Sequence, residues 1–598
     1  MFNVECSMFN SPKKPLPGCF VRRSTSHIMM KKTLLLLAAL ALTIHSAQAT
    51  NGAWTGTTDG NWNVDSNWTG AFYPGTGSPE TATFNADVTN STISMNSTAI
   101  AVSSISFTGS NTGSYTFNDG GGSLNVQNIS IASNVTGVVT QTFNSRVNYA
   151  IGGNSFMANY SATALLDFKG GIDNASAATN LQFYVQQAGV VALNGASSNN
   201  GKSINISKQG IGKLIYTGTS TGAVSLSQTD GIVQYDSVGA MNFSGNGIGM
   251  SGGIIGLGAE DFTLTVASSG ANTIRWSTTV NSDTGFAAYG ANRNVNMGGA
   301  FGSYVWQATA RIKTGQGLIL GSADSTHTVN FQNQLGLADA ARIIVVNDGV
   351  SSTNVDGEIS GVISSPTASL GTVTKTGAGT LLLSAANTYT GLTTVSAGTL
   401  LVGNSSGDGS LAGGATLASG AILGGSGSIA GVVTIQSGAR LAPGNSPGLL
   451  TVDNDVTIED GGIFSVEVNG TTAGTGYDRL AMTGGGSDFS LTGSNDLEMS
   501  LGFTPAANAL FFLVDNAGGS AISGIFESLN GVVTDLSQGA LFSVGGQGFN
   551  ISYTGDLVGN AFTGGDDLVI QAVPEPTTWV MLALGGLFLL GFRRRAHC

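Results

Sequence analysis

Residues 373–402 read VTKTGAGTLLLSAANTYTGLTTVSAGTLLV, and this stretch decides the fold. It contains two pairs of apolar residues spaced two positions apart, and such spacing puts both members of a pair on one face of a β-strand: Leu381 with Leu383, and Leu400 with Val402. Between the pairs lie the residues that we assign to a turn: Asn387, Tyr389 and Gly391. The stretch therefore predicts a strand, a turn and a second strand.

A degenerate copy of this pattern lies upstream, near residues 206–235. The separation from Lys208 to Gly231 equals the separation from Lys375 to Gly398. Further positions of the pattern are shared as well: Gly210, Gly212 and Leu214. The upstream copy lacks the Asn-x-Tyr turn, so its turn geometry stays open.

The stretch at residues 373–404 resembles the autotransporter-associated β-strand repeat, in the order Lys-Thr-Gly-x-Gly-Thr-Leu, Asn-x-Tyr-x-Gly and Gly-Thr-Leu. Strand–turn units of this size cannot bury a face alone, so neighbouring units stack into a solenoid. We therefore predict an all-β protein whose body is a right-handed parallel β-helix. A strand-rich solenoid should fill residues 50–372, and residues 405–572 should continue it and supply terminal strands.

The composition supports short strands and excludes several kinds of site. Glycine accounts for 89 of 598 residues, charged residues for only 10% and apolar residues for 41%, which favours many strands joined by turns over disorder. The three cysteines, Cys6, Cys19 and Cys598, lie outside the body, so the body has no disulfide, thiolate metal site or cysteine nucleophile. His327 is the only histidine between residues 50 and 572.

The body is strongly acidic. The formal net charge of the chain is −13, and nine of its 22 Lys and Arg residues lie before Thr33 or after Phe592. A body this acidic repels nucleic acid and anionic lipid, so we expect no nucleic-acid partner. Divalent cations or cationic polymers would suit the charge, and a plain role in solubility would suit it equally.

The N-terminal region contains an export signal. Two lysines precede an apolar run at residues 34–44, and Ala47 and Ala49 form a small-x-small cleavage site. This order predicts a signal peptide at residues 29–49 and passage through the general secretion machinery. Residues 1–28 are either a mis-assigned N-terminal extension or a long n-region.

The C-terminal segment, residues 573–598, combines a proline-rich motif, an apolar run and a basic end. The residues of the motif and of the basic end are Pro574, Glu575, Pro576, Arg593, Arg594 and Arg595. The apolar run at residues 579–592 is short for a helix that crosses a hydrocarbon core of ~30 Å, which takes ~20 residues. The arginines would hold the C-terminus in the cytoplasm. We predict a short transmembrane helix here.

This order closely resembles the PEP-CTERM sorting signal. The resemblance implies recognition by an exosortase, with cleavage near residues 574–576, in a Gram-negative-type envelope. It also implies an association with exopolysaccharide. We expect the protein to be exported, inserted into the inner membrane through the C-terminal helix, and then placed on the cell surface or outside the cell. Whether the tail is cleaved or retained stays open.

Two motifs match catalytic patterns and are set aside. Gly247, Gly249 and Gly252 have the spacing of a dinucleotide loop, but a glycine-rich chain contains such matches by chance and no strand–loop–helix context surrounds them. Ser446 lies in a Gly-x-Ser-x-Gly motif, yet Pro447 after it has no N–H to offer an oxyanion. Turn chemistry explains this second motif.

Carboxylates are the remaining candidates for chemistry. Four clustered acids allow calcium binding or form a solvated acidic turn, and we prefer the turn: Asp453, Asp455, Glu459 and Asp460. Two acidic pairs are adjacent in sequence, so their side chains point to opposite faces of a strand and do not converge: Glu260 with Asp261, and Asp566 with Asp567. One histidine and no cysteine exclude the usual zinc centres. We predict no catalytic residue, metal or cofactor.

Three tryptophans cluster near the predicted mature N-terminus: Trp54, Trp62 and Trp68. Exposed indoles would stack on sugars. A hydrophobic cap over the first coil is the alternative that we prefer, because the end of a solenoid must be covered. The chain as a whole predicts a structural protein of the cell surface or extracellular matrix, linked to exopolysaccharide or adhesion. The alternative is a secreted polysaccharide-degrading enzyme on a β-helix scaffold.

Overall fold

The computed structural model describes residues 51–574, with gaps at 71, 76–79, 87–90, 97, 111, 150–154, 174–179, 187, 199–203, 222–223, 241–242, 244, 277–281, 314, 351–354, 368–369 and 518–519. Apart from a 3₁₀ turn at Asp65–Asn67, every regular element in these residues is a β-strand. This confirms the predicted all-β class.

Sheet 1 runs through the described body, and its strands are all parallel. Its strands are Thr92–Ser94, Tyr115–Asn118, Thr140–Phe143, Leu165–Phe168, Val190–Leu193, Lys213–Tyr216, Ile232–Tyr235, Gly253–Leu257, Thr284–Ala288, Gly317–Leu320, Ala341–Val346, Thr372–Thr376, Thr393–Val395, Ala415–Leu417, Val433–Ile435, Val456–Ile458 and Phe489–Leu491.

Sheet 2 forms the remaining sides of the upstream coils. It is a 15-stranded sheet that divides after its long early strands. Its strands are Gly52–Ala53, Thr81–Phe84, Ala99–Phe107, Ser123–Ile131, Val147–Asn148, Ser155–Asn159, Ile172–Asp173, Asn180–Val185, Ser197–Ser198, Ile204–Gln209, Ser220–Thr221, Val224–Gln228, Gly247–Met250, Thr265–Val266 and Thr273–Trp276.

Three further sheets form the other sides of the downstream coils. Sheet 3 consists of Arg293–Val295, Val329–Phe331, Gly357–Ile359, Thr380–Leu383, Thr399–Val402, Ile422–Gly424, Arg440–Leu441, Ile463–Val468, Asn495–Leu501, Phe526–Leu529 and Val532–Val533. A small sheet consists of Ser303–Val305, Gln334–Gly336 and Ile363–Ser364. Sheet 4 consists of Ala386–Asn387, Ser410–Leu411, Ser428–Ile429, Leu449–Val452, Arg479–Met482, Leu510–Asn516, Asp567–Ala572, Gln547–Gly555 and Leu541–Val544.

Each complete coil is three-sided. The chain passes from Thr372–Thr376 in sheet 1 to Thr380–Leu383 in sheet 3 and Ala386–Asn387 in sheet 4, and it returns to sheet 1 at Thr393–Val395. Consecutive coils pair in parallel, at the spacing of about 4.8 Å that strand pairing imposes. The body is therefore a parallel β-solenoid.

The structure corrects the strand–turn–strand interpretation of residues 373–402. The two predicted strands are not joined by one turn, because two more short strands lie between them and complete the coil. Leu381 pairs with Leu400 and Leu383 pairs with Val402, so the apolar residues stack one coil apart on the same side. All four side chains are buried, as the period-two pattern predicts.

The two ends of the solenoid are closed differently. At the N-terminal end the three tryptophans pack edge to face, with ring centroids 5.1 Å apart for Trp54 and Trp68 and 4.8 Å apart for Trp62 and Trp68. All three indoles are buried, which confirms the cap rather than an exposed sugar platform. At the C-terminal end the last strands of sheet 4, from Leu510–Asn516 onward, pair antiparallel. This change of direction stops the parallel stacking of coils.

Candidate functional site

The chain leaves the folded body through the last strand of sheet 4. This strand, Asp567–Ala572, pairs antiparallel with Leu510–Asn516 on one side and with Gln547–Gly555 on the other. A strand paired on both sides can move only by breaking hydrogen bonds along both of its edges. The backbone is therefore held by the fold up to residue 572.

Val573 is also held, and the predicted sorting motif begins at the next residue. The Val573 N–H donates to the Gly548 carbonyl at 2.9 Å, and the Val573 carbonyl accepts from Gln547 Nε2 at 2.8 Å. Pro574 is exposed and, with Leu541, borders a groove of about 550 Å³. The motif therefore starts at the surface of the antiparallel strands that close the C-terminal end of the solenoid, which we call the C-terminal cap, and no linker separates the two.

The other residues of the predicted export and sorting signals lie outside the described residues: Ala47, Ala49, Glu575, Pro576, Arg593, Arg594 and Arg595. The predicted short transmembrane helix at residues 579–592 also lies outside them. Over the described part of the chain, no helix has the length and apolar character needed to span a membrane.

Lys375, which the sequence pattern used only as a spacing marker, is a buried structural residue. Its Nζ donates to the Gly377 carbonyl at 2.7 Å and to the Ala397 carbonyl of the next coil at 2.8 Å. Burial lowers the pKa of Lys375 to about 8. Gly398 faces this corner with φ +67°, and a Cβ there would lie 2.6 Å from three carbonyl oxygens. Lysine and glycine together therefore form a tight corner, which we call a lysine corner.

The degenerate copy contains a second lysine corner. Lys208 Nζ donates to the Gly210 carbonyl at 2.6 Å and to the Asp230 carbonyl of the next coil at 3.2 Å. Burial lowers the pKa of Lys208 to about 8. Gly231, with φ +65°, takes the place of Gly398. The equal spacing in the sequence therefore reflects equal local geometry.

The Gly-x-Ser-x-Gly motif forms a turn held by carboxylates. Ser446 Oγ donates to Glu467 Oε2 at 2.7 Å, so its partner is a carboxylate and not an imidazole. Asp478 is buried, and its two oxygens accept the N–H groups of Gly448 at 2.7 Å and Glu467 at 2.8 Å. Burial raises the pKa of Asp478 to about 7. Both oxygens are occupied by backbone donors, so this carboxyl group braces the turn.

His327 is engaged elsewhere. Its Nδ1 is 2.9 Å from Thr326 Oγ1. Among the described residues no hydrogen bond joins His327 to Ser446. The structure therefore does not assemble a serine–histidine pair, in agreement with the sequence argument.

In each acidic pair one carboxylate accepts backbone N–H groups of neighbouring segments. Asp261 accepts the Asn294 N–H at 2.8 Å, and the two oxygens of Asp567 accept the Asn516 N–H at 2.8 Å and the Leu557 N–H at 2.7 Å. Burial raises the pKa of Asp567. These carboxylates replace missing backbone acceptors at the corners.

The candidate calcium ligands behave in the same way. Asp455 accepts the Asp488 N–H at 3.0 Å, and Asp460 accepts the Ser494 N–H at 2.7 Å. Each bond joins one coil to the next. In the described residues, no group of three or more His, Cys, Asp or Glu side chains is close enough to hold a metal ion. Inter-coil hydrogen bonding explains why acids cluster at these corners.

The fold defines a parallel β-solenoid whose cap passes directly into a C-terminal extension. Residues 373–402 match the family model of the passenger-associated-transport repeat. Residues 572–595 match the family model of the PEP-CTERM protein-sorting motif. These matches confirm both resemblances seen in the sequence, and neither model describes an enzyme family. No curated protein matches the chain.

Proposed function

We propose that this protein is exported through its signal peptide, sorted by an exosortase through residues 573–598, and used as a structural protein of the cell surface or extracellular matrix. Export and sorting rest on the match at residues 572–595, since a PEP-CTERM motif is typical of an exported exosortase substrate. The short apolar run would hold the protein in the inner membrane until processing.

The junction at Val573 and Pro574 carries the proposal. The cap ends where the motif begins, so a sorting enzyme meets an exposed Pro574 beside a folded surface. The body would be presented as an already closed solenoid, with right-handed coils as parallel crossovers favour. Its role outside the cell is to contact exopolysaccharide or to mediate adhesion.

We further infer that the body is not an enzyme. Asp261 and Asp567, one acid of each pair that suggested a polysaccharide-degrading site, accept backbone N–H groups, and Ser446 bonds a carboxylate. Acids held this way are poor candidates for the paired carboxylates of a glycosidase, which must reach a substrate. Incubation of the purified protein with acidic and neutral polysaccharides should release no reducing ends or unsaturated products.

The sorting proposal is tested in a host that has an exosortase. Pro574, Glu575 and Pro576 are changed together to alanine, and Thr577→Ala with Thr578→Ala serves as the matched control in the same tail. Intact-mass analysis reports removal of the tail, and cell fractionation reports arrival at the surface. Wild type and control should show at least one of these, while the triple variant stays full length in the membrane. Normal processing and display of the triple variant would refute the proposal.

A further inference from the structure

An unassigned groove lies on the outer side of sheet 2, at the coils that contain the glycine spacing set aside above. Its volume is about 410 Å³, and its lining includes Ser227, Gly249 and Arg275. These residues form one outward column, because Ser227 pairs with Gly249 and Gly249 pairs with Arg275. Three consecutive coils therefore contribute to the same groove.

Gly249 makes room for the guanidinium group of Arg275. A Cβ at position 249 would lie 3.2 Å from Nη2, 3.4 Å from Cζ and 3.6 Å from Nε of Arg275. The shortest of these contacts is tight, so a Cβ there requires the guanidinium to shift by a few tenths of an ångström. Arg275 Nη1 donates to the Asn246 carbonyl at 2.7 Å, which fixes the group over the strand. The half-buried guanidinium is thus held in place with further donors to offer.

The charge of this groove differs from that of the rest of the body. No carboxylate appears among its lining residues. Three arginines of the described residues are paired with carboxylates, as in Arg146 with Asp173 at 2.9 Å and Arg440 with Glu498 at 2.7 Å, whereas no ion pair of Arg275 occurs there. An unneutralised guanidinium in an acidic protein is a local site for an anion.

The remaining lining residues suit a sugar. Four hydroxyl groups line the same groove as the arginine, and each can donate and accept hydrogen bonds: Ser227, Ser251, Ser268 and Thr309. The strand end at Trp276 is joined to the neighbouring segment by its N–H, which donates to the Ala310 carbonyl at 3.1 Å.

We propose that this groove binds an acidic polysaccharide, with the carboxylate of a uronic acid residue on Arg275 and ring hydroxyls on the serine and threonine side chains. A guanidinium group pairs with a carboxylate through two parallel hydrogen bonds, which gives both strength and orientation. The inference rests on the proposed function, because it names the substance that the exported body contacts. It does not depend on how the tail is processed.

The test uses the processed protein purified from its host and titrates it calorimetrically with oligouronates, with dextran as the neutral polymer. Wild type should bind the oligouronate and not dextran. Arg275→Gln should weaken binding at least tenfold. The matched control Arg440→Gln removes the same charge from an ion pair outside the groove, and its affinity should stay within twofold of wild type.

A second variant separates geometry from charge. Gly249→Ala keeps Arg275 but displaces the guanidinium, so binding should fall several-fold while thermal unfolding and far-UV circular dichroism stay as in wild type. The proposal is overturned if Arg275→Gln binds as wild type does, or if Arg440→Gln loses as much affinity. It is also overturned if inorganic phosphate binds the groove as tightly as the oligouronate, because the site would then serve a free anion. Any of these results leaves the sorting of the protein untouched.

Discussion

The two lysine corners share one geometry at two different places in the solenoid. Lys208 stands where sheet 2 passes into sheet 1, whereas Lys375 stands where sheet 1 passes into sheet 3. Both Nζ atoms nevertheless donate to the carbonyls of residues 2 and 22 positions further along the chain. The motif is therefore a local device that closes a corner and is not tied to one side of the coil.

The two copies differ at the second strand after the lysine corner, which is Ala386–Asn387 in the strong repeat and Ser220–Thr221 in the degenerate copy. In the strong repeat Asn387 is buried and connects three coils: its Oδ1 accepts the Ile363 N–H at 2.8 Å, and its Nδ2 donates to the Ser410 carbonyl at 3.0 Å. Tyr389 is buried beside it, with its hydroxyl 2.8 Å from Thr393 Oγ1. The corresponding residues of the degenerate copy are serine and glycine, at positions 220 and 222.

The interior differs as well. Where the strong repeat stacks Leu383 on Val402, the degenerate copy stacks Tyr216 on Tyr235, with ring centroids 6.2 Å apart. A cavity of about 10 Å³ lies among the side chains around these tyrosines. The lysine corner is therefore sufficient to turn the chain. In the strong repeat, Asn387 and Tyr389 add hydrogen bonds that hold the strand Ala386–Asn387 against the neighbouring coils. We expect the strong repeat to open less readily than its copy.

The largest loss should follow Tyr389→Ala, which removes a fully buried ring that the degenerate copy does not have. Large-to-small changes of this kind cost about 3–5 kcal/mol. Hydrogen–deuterium exchange of the peptides at residues 380–402 should rise toward that of the peptides at residues 213–235. If exchange in the strong repeat is unchanged, the tyrosine does not account for the difference between the copies.

Replacing either lysine should affect both copies alike. Lys375→Met and Lys208→Met each leave buried carbonyls without a donor, which costs about 2–3 kcal/mol. Urea unfolding and local hydrogen exchange should give losses within about 0.5 kcal/mol of each other, because the two corners have the same bonds. A large loss at one lysine alone would mean that the corners are not equivalent.

The lysine corners show what the sequence could and could not predict. Period-two leucines predicted the buried positions of residues 373–402, and equal glycine spacing predicted their copy. The parallel coil was expected only from the resemblance and from the stacking of such units. A lysine ordinarily lies at the surface, and only the stacking of the next coil places its Nζ among carbonyls. The pattern therefore located the corner without revealing that Lys375 is buried.

Other regions were harder to predict for a related reason. Between residues 240 and 370 the coils contain strands of two to six residues and corner loops of unequal length, so no fixed period appears in the sequence. Ser227, Gly249 and Arg275 converge only through inter-coil pairing, and the sequence singled out Gly249 for a motif that the structure does not form. A repeated sequence pattern predicts which side chains stack on one another from coil to coil. Where the coils differ in length, the residues that meet are set by the pairing register of their strands, which the sequence does not reveal.

A smaller effect is expected for Asn387→Ser, which gives the strong repeat the residue of its copy. Serine is too short to satisfy both neighbouring coils, so the Ile363 N–H loses its acceptor. Leaving one buried donor unpaired costs about 1–2 kcal/mol. Exchange of the Ile363 N–H should increase, and Thr388→Ser is the control at an adjacent position. The Ser410 N–H, which donates to the Ala385 carbonyl at 3.0 Å, should keep its protection. Unchanged exchange of the Ile363 N–H would contradict the role of Asn387 as its acceptor.

The smallest expected effect is a rise in stability with pH that both copies share. The folded-state pKa of each lysine is about 8, below the ordinary lysine pKa of 10.5, so between these values the unfolded chain binds more protons than the folded one. Stability must therefore increase as pH rises from 8 towards 10, and the cost of burying the charge is fully present below pH 8.

The accessible pH range covers only part of the interval between the two pKa values, so the rise should be on the order of 1 kcal/mol per lysine and not the full amount that the shift implies. Urea midpoints at pH 7.5, 8.5 and 9.5 measure the rise, and Lys208→Met with Lys375→Met is the reference that should lack it. The window ends near pH 10, because buried tyrosines then act in the opposite direction. Burial raises the pKa of Tyr389 to about 12, so the folded state holds that proton longer than the unfolded chain does. If the two single variants each remove half of the rise, the corners are equivalent in charge as well as in geometry; if one removes all of it, the other ammonium is solvated and the comparison holds only for hydrogen bonding.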